Sequence, residues 1–524
     1  MLLRRSLLRQ VRTEVKSDAS VGEQPAEVIH STMPKKFLVL VLITTFHSLL
    51  LAQTATPQSE DEGKERPTSH AEHPTSKAAA VHRTARTEHH NHPGDRGQSP
   101  VAETHHHHGQ HDHTMHETKM QSSVNLTDPM TREGSGTSWL PDSSPMYGRM
   151  FMFGDDMLML HGAIFPRYTN VSTRRGDDRI DAPNWIMGMF SHPFGETAQL
   201  GVRLMMSLDP LTEGGRGYPL LFQSGETWHD QPLHDRQHPH DLFSELSLSY
   251  SQKFTGDFSG YIYFGYPGEP ALGPPTFMHR ISAMDDPDAP IGHHWQDSNH
   301  VTFGVATAGL VWSRFGGIKI EGSIFTGREP DEDRYDFDRA HFDSASGRIS
   351  WNPTPDLALQ FSHGYLKSPE ASEPTAKRHR TTASLIYNKV LGHDTNWATT
   401  FVWGQNNDTH EGKTQSFLLE SNYQRGRNTV YTRLERVEKS GHELVLKGAD
   451  QEKIFPIFAA SFGYVHDFTH GDGLDVGLGA QFTIDDRPAE LDRYYGDDVG
   501  YGFQVFLRIR PSIHQHHEME RVMK

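Results

Sequence analysis

Most of the chain consists of short segments in which apolar and polar residues alternate one by one. Between residues 317 and 327, for example, Ile318, Ile320 and Ile324 alternate with Lys319 and Glu321. Because successive side chains of a β-strand point to opposite faces, this period of two predicts strands with one apolar and one polar face. Sixteen such segments can be placed, at 156–168, 183–192, 197–209, 241–253, 257–266, 299–314, 317–327, 342–352, 356–366, 378–391, 394–405, 414–425, 428–439, 454–467, 473–484 and 500–510.

The connections between these segments alternate in length. Short turns lie at 193–196, 255–256, 316, 353–355, 392–393, 426–427 and 468–472, and long connections near 169–182, 210–240, 267–298, 328–341, 367–377, 406–413, 440–453 and 485–499. Each segment is long enough to cross a membrane at a tilt, which takes about 9 to 11 residues. Transmembrane barrels combine an even strand number with tight turns at one end and long loops at the other. A soluble all-β protein such as a propeller is the alternative, but it would not produce this regular alternation.

In its whole plan, the stretch 147–510 resembles bacterial outer-membrane barrels of the porin type. The resemblance rests on strand number, strand length and loop asymmetry, and on no short motif. It implies an all-β, antiparallel transmembrane β-barrel of about sixteen strands in the lipid of the bacterial outer membrane, with both termini in the periplasm and a homotrimer as one assembly state. The chain departs from the family pattern at its end, because a short polar tail, 511–524, follows the last segment.

Composition excludes several classes of function. The chain has 524 residues, no cysteine and a formal net charge of −17. Without cysteine it has no thiolate metal site, no thiol nucleophile and no cysteine for a lipid anchor. Nucleic acid is not an expected partner, since phosphate binding requires a basic surface. The hydrophobic content of 35% is low for buried cores but fits a wall that faces lipid on one side and water on the other.

The N-terminal region has the features of an export signal. Lys35 and Lys36 precede an apolar run, 37–51, that is followed by small residues, which is typical of a signal peptide over 33–55. A membrane anchor is the alternative, but the run is short for a spanning helix, which needs about 20 apolar residues. Residues 1–32 form no recognisable unit, and we expect Met33 to be the true start.

A histidine-rich segment separates the signal peptide from the barrel. Residues 56–146 are rich in Pro, Ser, Thr, Gly, Glu and His, so we expect a disordered periplasmic segment. Neutral imidazole binds copper, zinc and nickel ions, and the expected ligands are His105, His106, His107, His108, His111, His113 and His116. Low-complexity histidine tracts also bind such ions incidentally. A His- and Met-bearing tract before a barrel resembles the layout of outer-membrane copper-resistance proteins, which implies a metal-handling role for residues 105–120 and for no individual barrel residue.

Methionine is concentrated in the first three predicted strands. Nine of the 18 methionines lie between Met146 and Met206. If the faces predicted by strand parity point into the barrel, they form a patch of thioether and imidazole groups suited to Cu(I). The patch comprises Met157, Met159, His161, Met187, Met189 and Met205. The alternative is that these methionines fill irregular packing or contact lipid.

The second and third long loops are rich in histidine and aspartate. Gly and Pro residues predict a fixed path for the third loop, and in general porins a loop near this position folds into the pore and narrows it. We therefore expect a pore constriction, with a metal or polar-solute site as a narrower hypothesis. The candidate residues are His229, His234, His238, His240, Asp241, His279, Asp285, His293, His294 and His300. The alternative is a packed loop whose His and Asp side chains satisfy each other.

These features favour passage of small solutes or metal ions through an outer-membrane pore, with the histidine-rich arm binding copper, zinc or nickel ions and no cofactor required. The inner wall is predicted to be lined by Glu245, Lys319, Glu321, Gln360, Glu420, Arg433, Glu435, Gln481, Gln504 and Arg508. A closed barrel acting as a metal-sequestering or adhesive surface is the main alternative. An enzyme is not expected, because the sequence has no nucleophile elbow and no helical zinc-ligand spacing; a membrane-embedded hydrolase is the least favoured class.

Overall fold

The computed structural model describes residues 120–471, 473–496 and 499–513. Their strands are β1 (Arg149–Phe153), β2 (Asp156–Ile164), β3 (Arg167–Val171), β4 (Asp178–Asp181), β5 (Asn184–Phe194), β6 (Ala198–Met206), β7 (Tyr218–Trp228), β8 (Gln231–Gln237), β9 (Phe243–Lys253), β10 (Phe258–Gly265), β11 (Val305–Trp312), β12 (Ile318–Phe325), β13 (Ser344–Thr354), β14 (Leu357–Lys367), β15 (Lys377–Gly392), β16 (Thr395–Asp408), β17 (Gly412–Arg425), β18 (Asn428–Ser440), β19 (Ile454–Thr469), β20 (Leu474–Asp486) and β21 (Gly500–Pro511). Short helices are α1 (Asp209–Thr212), α2 (His293–Gln296) and α3 (Asp492–Tyr495). None of the helices in the described ranges is long and apolar enough to cross a membrane.

The strands form one closed antiparallel barrel of sixteen strands, which confirms the predicted fold class. β2 with β3 makes the first barrel strand and β4 with β5 the second. The breaks fall at Pro166 and Pro183, which lack the N–H that a continuous ladder uses. β6 and β9 to β21 supply the remaining strands, and β21 closes the barrel by pairing with β3. β1 adds a short strand beside β2 near this closure.

Apolar side chains cover the outside of the barrel. In β12, Ile320 and Ile324 are 58% and 54% exposed, whereas Lys319 and Glu321 on either side of Ile320 are buried in the lumen. The same alternation exposes Phe361 on β14 and other apolar residues around the wall. Such a belt is unfavourable in water but is solvated by hydrocarbon. The barrel is therefore a transmembrane barrel of the outer-membrane type.

Exposed aromatic side chains lie beside the short turns. Phe254 and Phe315 lie in two of these turns, while Trp351 and Trp397 lie close to two others, and all four are exposed. Aromatic girdles of this kind occupy the interface between hydrocarbon and water in membrane barrels. They mark one edge of the membrane belt.

The connections follow the predicted asymmetry with one exception. All seven predicted short turns join neighbouring strands at one end of the barrel, the short-turn end, and the other connections meet at the opposite, long-loop end. The predicted long connection at 406–413 is wrong, because β16 extends to Asp408 and β17 begins at Gly412. The predicted tail also starts later, since Pro511 belongs to β21 and Ile513 pairs with Tyr147.

Residues 120–148, which we call the lumen segment, are folded inside the barrel. The backbone N–H of Leu126 donates to Ser251 Oγ of β9 at 3.1 Å, and Asn388 Nδ2 of β15 donates to the carbonyl oxygen of Ser143 at 2.7 Å. The segment thus contacts well-separated parts of the wall. The predicted disorder over 56–146 is therefore wrong for 120–146, because polar wall groups satisfy a polar segment that could not form an apolar core. The rest of that prediction lies outside the described residues.

The third long loop also fills the lumen, as its position in the sequence predicts. Residues 266–304, the lumen loop, are almost entirely buried. The backbone N–H groups of Ile291 and Gly292 both donate to the Glu435 carboxylate of β18, at 3.1 and 3.0 Å. The N–H of Gly273 donates to Ser362 Oγ of β14 at 2.9 Å. The loop is thereby fixed to the wall.

The second long loop contains a hairpin that the alternation pattern did not predict. β7 and β8 pair with two register shifts, which break the period of two in the sequence. Leu221 and Phe222 of β7 pack with Leu444 and Tyr495 from other long loops. An ordinary apolar core therefore holds the loops together at the long-loop end.

Candidate functional site

The predicted methionine patch faces the lumen. Met159 lies opposite Met189 in the register of β2 and β5, and Met187 lies opposite both His161 and Met205. These methionines are at most 5% exposed. The strand register therefore brings their thioether groups together on one area of the inner wall.

Two further buried methionines belong to this cluster, and sequence reasoning did not assign either to it. Met130 comes from the lumen segment and Met278 from the lumen loop, and both pack against the wall methionines. Neither lies in a strand, so strand parity could not assign them. The sequence indicated this cluster only through the high methionine content between Met146 and Met206, and Met130 and Met278 lie outside that stretch.

These groups surround a cavity of about 70 Å³, which we call the methionine cavity. Its wall includes Met130, Met159, Met187, Met189 and Met278, together with His161 and His279. The rings of His161 and His279 are 5.5 Å apart between centroids, and Trp185 lies against both. His161 Nε2 has no hydrogen-bond partner. The cavity thus offers several thioether sulfurs and an unpaired imidazole nitrogen within one enclosed space.

Five of the ten predicted constriction histidines and aspartates come together. His240, His300, His293, His294 and His238 follow one another with ring centroids 5.2 to 5.8 Å apart, and we call them the histidine chain. Burial lowers the pKa of His300 to about 3 and the pKa of His293 and of His238 below the ordinary histidine range. Those three imidazoles are therefore neutral at pH 7, the form that binds metal ions.

The other five predicted residues lie elsewhere. His279 belongs to the methionine cavity. His229 is exposed at the turn between β7 and β8, and His234 of β8 pairs with Asp235. Asp241 pairs with Arg334, and Asp285 pairs with Arg508 and Arg510, so their charges are matched by arginine. The structure thus brings five of the ten candidate residues together and places the other five outside that cluster. A functional pore constriction stays a prediction.

The charged side chains of the inner wall contact protein and not water. Of the ten predicted lining residues, all but Gln360 are buried. Glu420 on β17 accepts hydrogen bonds from Arg280 of the lumen loop and from Arg433 of β18, each at 3.0 Å. The prediction that these groups line an aqueous path is wrong for the described lumen, because the lumen segment and lumen loop cover them.

The histidine tract with His105, His106, His107, His108, His111, His113 and His116 lies outside the described residues, as do the predicted signal peptide over 33–55 and the preceding 1–32. Metal binding by this tract stays a prediction.

Comparisons with known proteins return solved outer-membrane barrels. An anion-selective porin from Comamonas acidovorans is 13% identical, with a TM-score of 0.40, and covers 68% of this chain and 100% of its own. A Salmonella typhi OmpF complex with daunomycin is 11% identical, with a TM-score of 0.42 and coverage of 69% and 100%. Acinetobacter baumannii OccAB4 is 8% identical, with a TM-score of 0.32 and coverage of 71% and 99%. No protein-family model and no curated protein matches the chain.

Proposed function

We propose that the protein is an outer-membrane barrel that carries transition metal ions through its lumen, with Cu(I) bound in the methionine cavity as the cargo. One observation carries this proposal. Of the ten buried members of the apolar cluster at the cavity, seven are methionine and none is leucine, isoleucine or valine.

Packing alone gives a different composition. The apolar core at the long-loop end contains leucine, isoleucine, valine and aromatic residues and no methionine. Leucine and isoleucine hold defined rotamers, whereas methionine is flexible and specifies packing poorly. Thioether and imidazole groups are, however, the soft ligands that Cu(I) prefers. The methionine content is therefore better explained by a ligand than by stability.

The filled lumen favours transfer between ligands over free diffusion. Because the wall charges are covered by the lumen segment and lumen loop, a hydrated solute meets protein along the barrel axis. An ion that exchanges its water for protein ligands can move with small side-chain shifts. The closed, metal-sequestering barrel uses the same cavity and differs only in whether bound ions leave again.

The proposal extends to the parts of the chain beyond the cavity. Short turns of membrane barrels face the periplasm, and we place the histidine tract, 105–116, in the same compartment. There it would capture copper, zinc or nickel ions before they reach the lumen. A homotrimer, the common assembly of porin-type barrels, is part of the same proposal and is testable by native mass spectrometry.

The decisive experiment measures Cu(I) binding in a full chain in which the thirteen histidines between His70 and His116 are replaced by serine, the tract-substituted chain. Cu(I) is titrated against a chromogenic chelator. Replacing Met159, Met187 and Met189 together by leucine should weaken binding at least about tenfold, the scale of effect when a metal-site partner is lost. Each of these swaps conserves volume and costs less than about 1.5 kcal/mol, so the barrel stays folded.

Met206 provides the matched control. It lies on β6 opposite Ile186, which is 43% exposed on the outer face of the barrel, so Met206→Leu should leave Cu(I) binding unchanged. Equal Cu(I) affinity in the triple variant and its parent would reject the cavity as the site. Proteoliposomes with a trapped Cu(I) indicator then separate transport from sequestration, because a sequestering barrel binds Cu(I) and passes none.

A further inference from the structure

We propose that the histidine chain is a second metal site, for a divalent ion of borderline character such as Zn(II) or Cu(II), centred on the facing Nε2 atoms of His240 and His300. This site differs from the methionine cavity in its ligands, its preferred ion and its position toward the long-loop end. It goes beyond the proposed Cu(I) cargo and is tested separately.

The hydrogen-bond network assigns the tautomers of these two imidazoles. His240 Nδ1 lies 2.7 Å from Asp209 Oδ2, and His300 Nδ1 lies 3.0 Å from the carbonyl oxygen of Asp297. Carboxylate and carbonyl oxygens accept hydrogen bonds and do not donate them, so each Nδ1 carries a proton. That leaves Nε2 of each ring as the atom available to a cation.

His240 Nε2 and His300 Nε2 lie 3.1 Å apart. Two ring nitrogens at this distance share a cation, which is either one proton or a metal ion. In a tetrahedral zinc site with Zn–N bonds of about 2.0 to 2.1 Å, two ligand nitrogens lie roughly 3.3 Å apart. The observed separation is within a few tenths of an ångström of this value.

Two neighbouring imidazoles have the same arrangement. His293 Nδ1 lies 2.7 Å from Asp297 Oδ1, and His238 Nδ1 lies 3.1 Å from Glu226 Oε1. Both Nε2 atoms are buried without a hydrogen-bond partner. Metal-bound histidines commonly donate their second ring N–H to a carboxylate or carbonyl in this way, which fixes the ring and leaves the other nitrogen for the ion.

Carboxylates lie beside four of the five imidazoles. They are Asp209 at His240, Asp297 at His293, Glu226 at His238 and Glu329 at His294. Carboxylates in this position orient the rings of metal-bound histidines. The histidine chain therefore has the supporting groups of a metal site as well as the ring nitrogens.

The test measures Zn(II) bound by the tract-substituted chain in detergent, in the presence of a chelator that holds free Zn(II) near micromolar. We expect one Zn(II) per chain. The double variant His293→Gln with His300→Gln should lose it. His393→Gln is the control. His393 has Nδ1 2.8 Å from Asp394 Oδ1, as the chain histidines have a carboxylate, but it is exposed in a turn and does not belong to the histidine chain. This variant should bind Zn(II) like its parent.

A second measurement needs no variant. One equivalent of Cu(II) added to the tract-substituted chain should give an electron paramagnetic resonance spectrum with coupling to at least two imidazole nitrogens. This spectrum decides the question if the double variant does not fold. Three results would each overturn the site. They are coupling to fewer than two imidazoles, unchanged Zn(II) binding in the folded double variant, and no Zn(II) bound by the parent. In the third case the two facing nitrogens share only a proton.

The two sites can fail independently. Replacing Met159, Met187 and Met189 by leucine should weaken Cu(I) binding at least about tenfold and leave the Zn(II) stoichiometry unchanged. The double histidine variant should lose Zn(II) and bind Cu(I) like its parent. Loss of both ions in either folded variant would overturn the assignment of two separate sites.

Discussion

Glu321 connects the lumen segment to the barrel wall, and neutralising it tests how the lumen is closed. Its carboxylate accepts hydrogen bonds from Thr137 Oγ1 of the lumen segment at 2.5 Å and from Tyr261 of β10 at 2.6 Å. It also pairs with Arg348 at 2.9 Å and Lys319 at 3.0 Å. The side chain is fully buried. One carboxylate therefore links three strands and the lumen segment.

The expected cost of Glu321→Gln follows from the charges left behind. Arg348 and Lys319 remain buried with no opposing carboxylate at their centre, and removing one partner of a buried ion pair costs about 3–5 kcal/mol. Glutamine keeps the size of the side chain, so this cost is not confused with a cavity. The hydrogen bond that holds Thr137 is weakened at the same time, so the lumen segment should also be released more easily.

The assay is reversible urea unfolding in lipid vesicles, followed by tryptophan fluorescence, together with limited trypsin digestion at the buried Arg132 of the lumen segment. Glu438→Gln is the control, since Glu438 pairs with Arg436 at 3.0 Å where both side chains are partly exposed, and such pairs contribute at most about 1 kcal/mol. If both variants lose less than about 1 kcal/mol and cleavage at Arg132 does not rise, the idea that buried charges fasten the lumen segment is refuted.

Three further predictions test other parts of the structure. Ile320→Lys, on the lipid face, should lower the free energy of unfolding in vesicles by about 2–4 kcal/mol, and no loss would contradict the membrane belt. Gly404→Ala should lower the free energy of unfolding by about 1–3 kcal/mol, because the added Cβ would lie 2.4 Å from a backbone oxygen of the lumen loop. Gly322→Ala is the control and should be neutral, since its nearest contact is at 3.6 Å. Equal urea midpoints for the two variants would be evidence against a packed lumen. Asp475, 3.6 Å from the His470 ring, raises the pKa of His470 in a short turn. The difference in the free energy of unfolding between wild type and His470→Gln should therefore be largest below about pH 6.5, the pKa of an unfolded histidine, and should vanish as pH rises through the folded pKa. A pH-independent difference would exclude this ion pair.

The barrel was predictable from sequence because each strand carries its own signal. In β12, three isoleucines and two charged residues already define the two faces. The short turns add independent support, since a two-residue connection such as 426–427 joins only antiparallel neighbours. The methionine face was predictable for the same reason, because parity within β2 and β5 orders Met159 and Met187 without knowledge of the rest of the fold.

The contents of the lumen were not predictable in this way. Thr137 and Met130 lie in a stretch whose composition is typical of disorder, and what orders it is a polar wall more than a hundred residues away in sequence, including Glu321 and Ser251. No local pattern encodes that match. Strand parity correctly predicted that these charged side chains face the lumen. It could not predict whether the lumen holds water or protein, because both cases give the same alternation of apolar and polar residues.

The two proposed metal sites are in contact through one side chain inside the filled lumen. Phe277 belongs to the cluster around the methionine cavity, and its ring lies 5.6 Å from that of His293 in the histidine chain. One aromatic side chain of the lumen loop thus touches both a soft and a borderline ligand set. An ion that gave up its water would meet the ligands of one set and then those of the other. Under these proposals, selectivity arises from ligand exchange in a closed lumen and requires no open pore of defined radius.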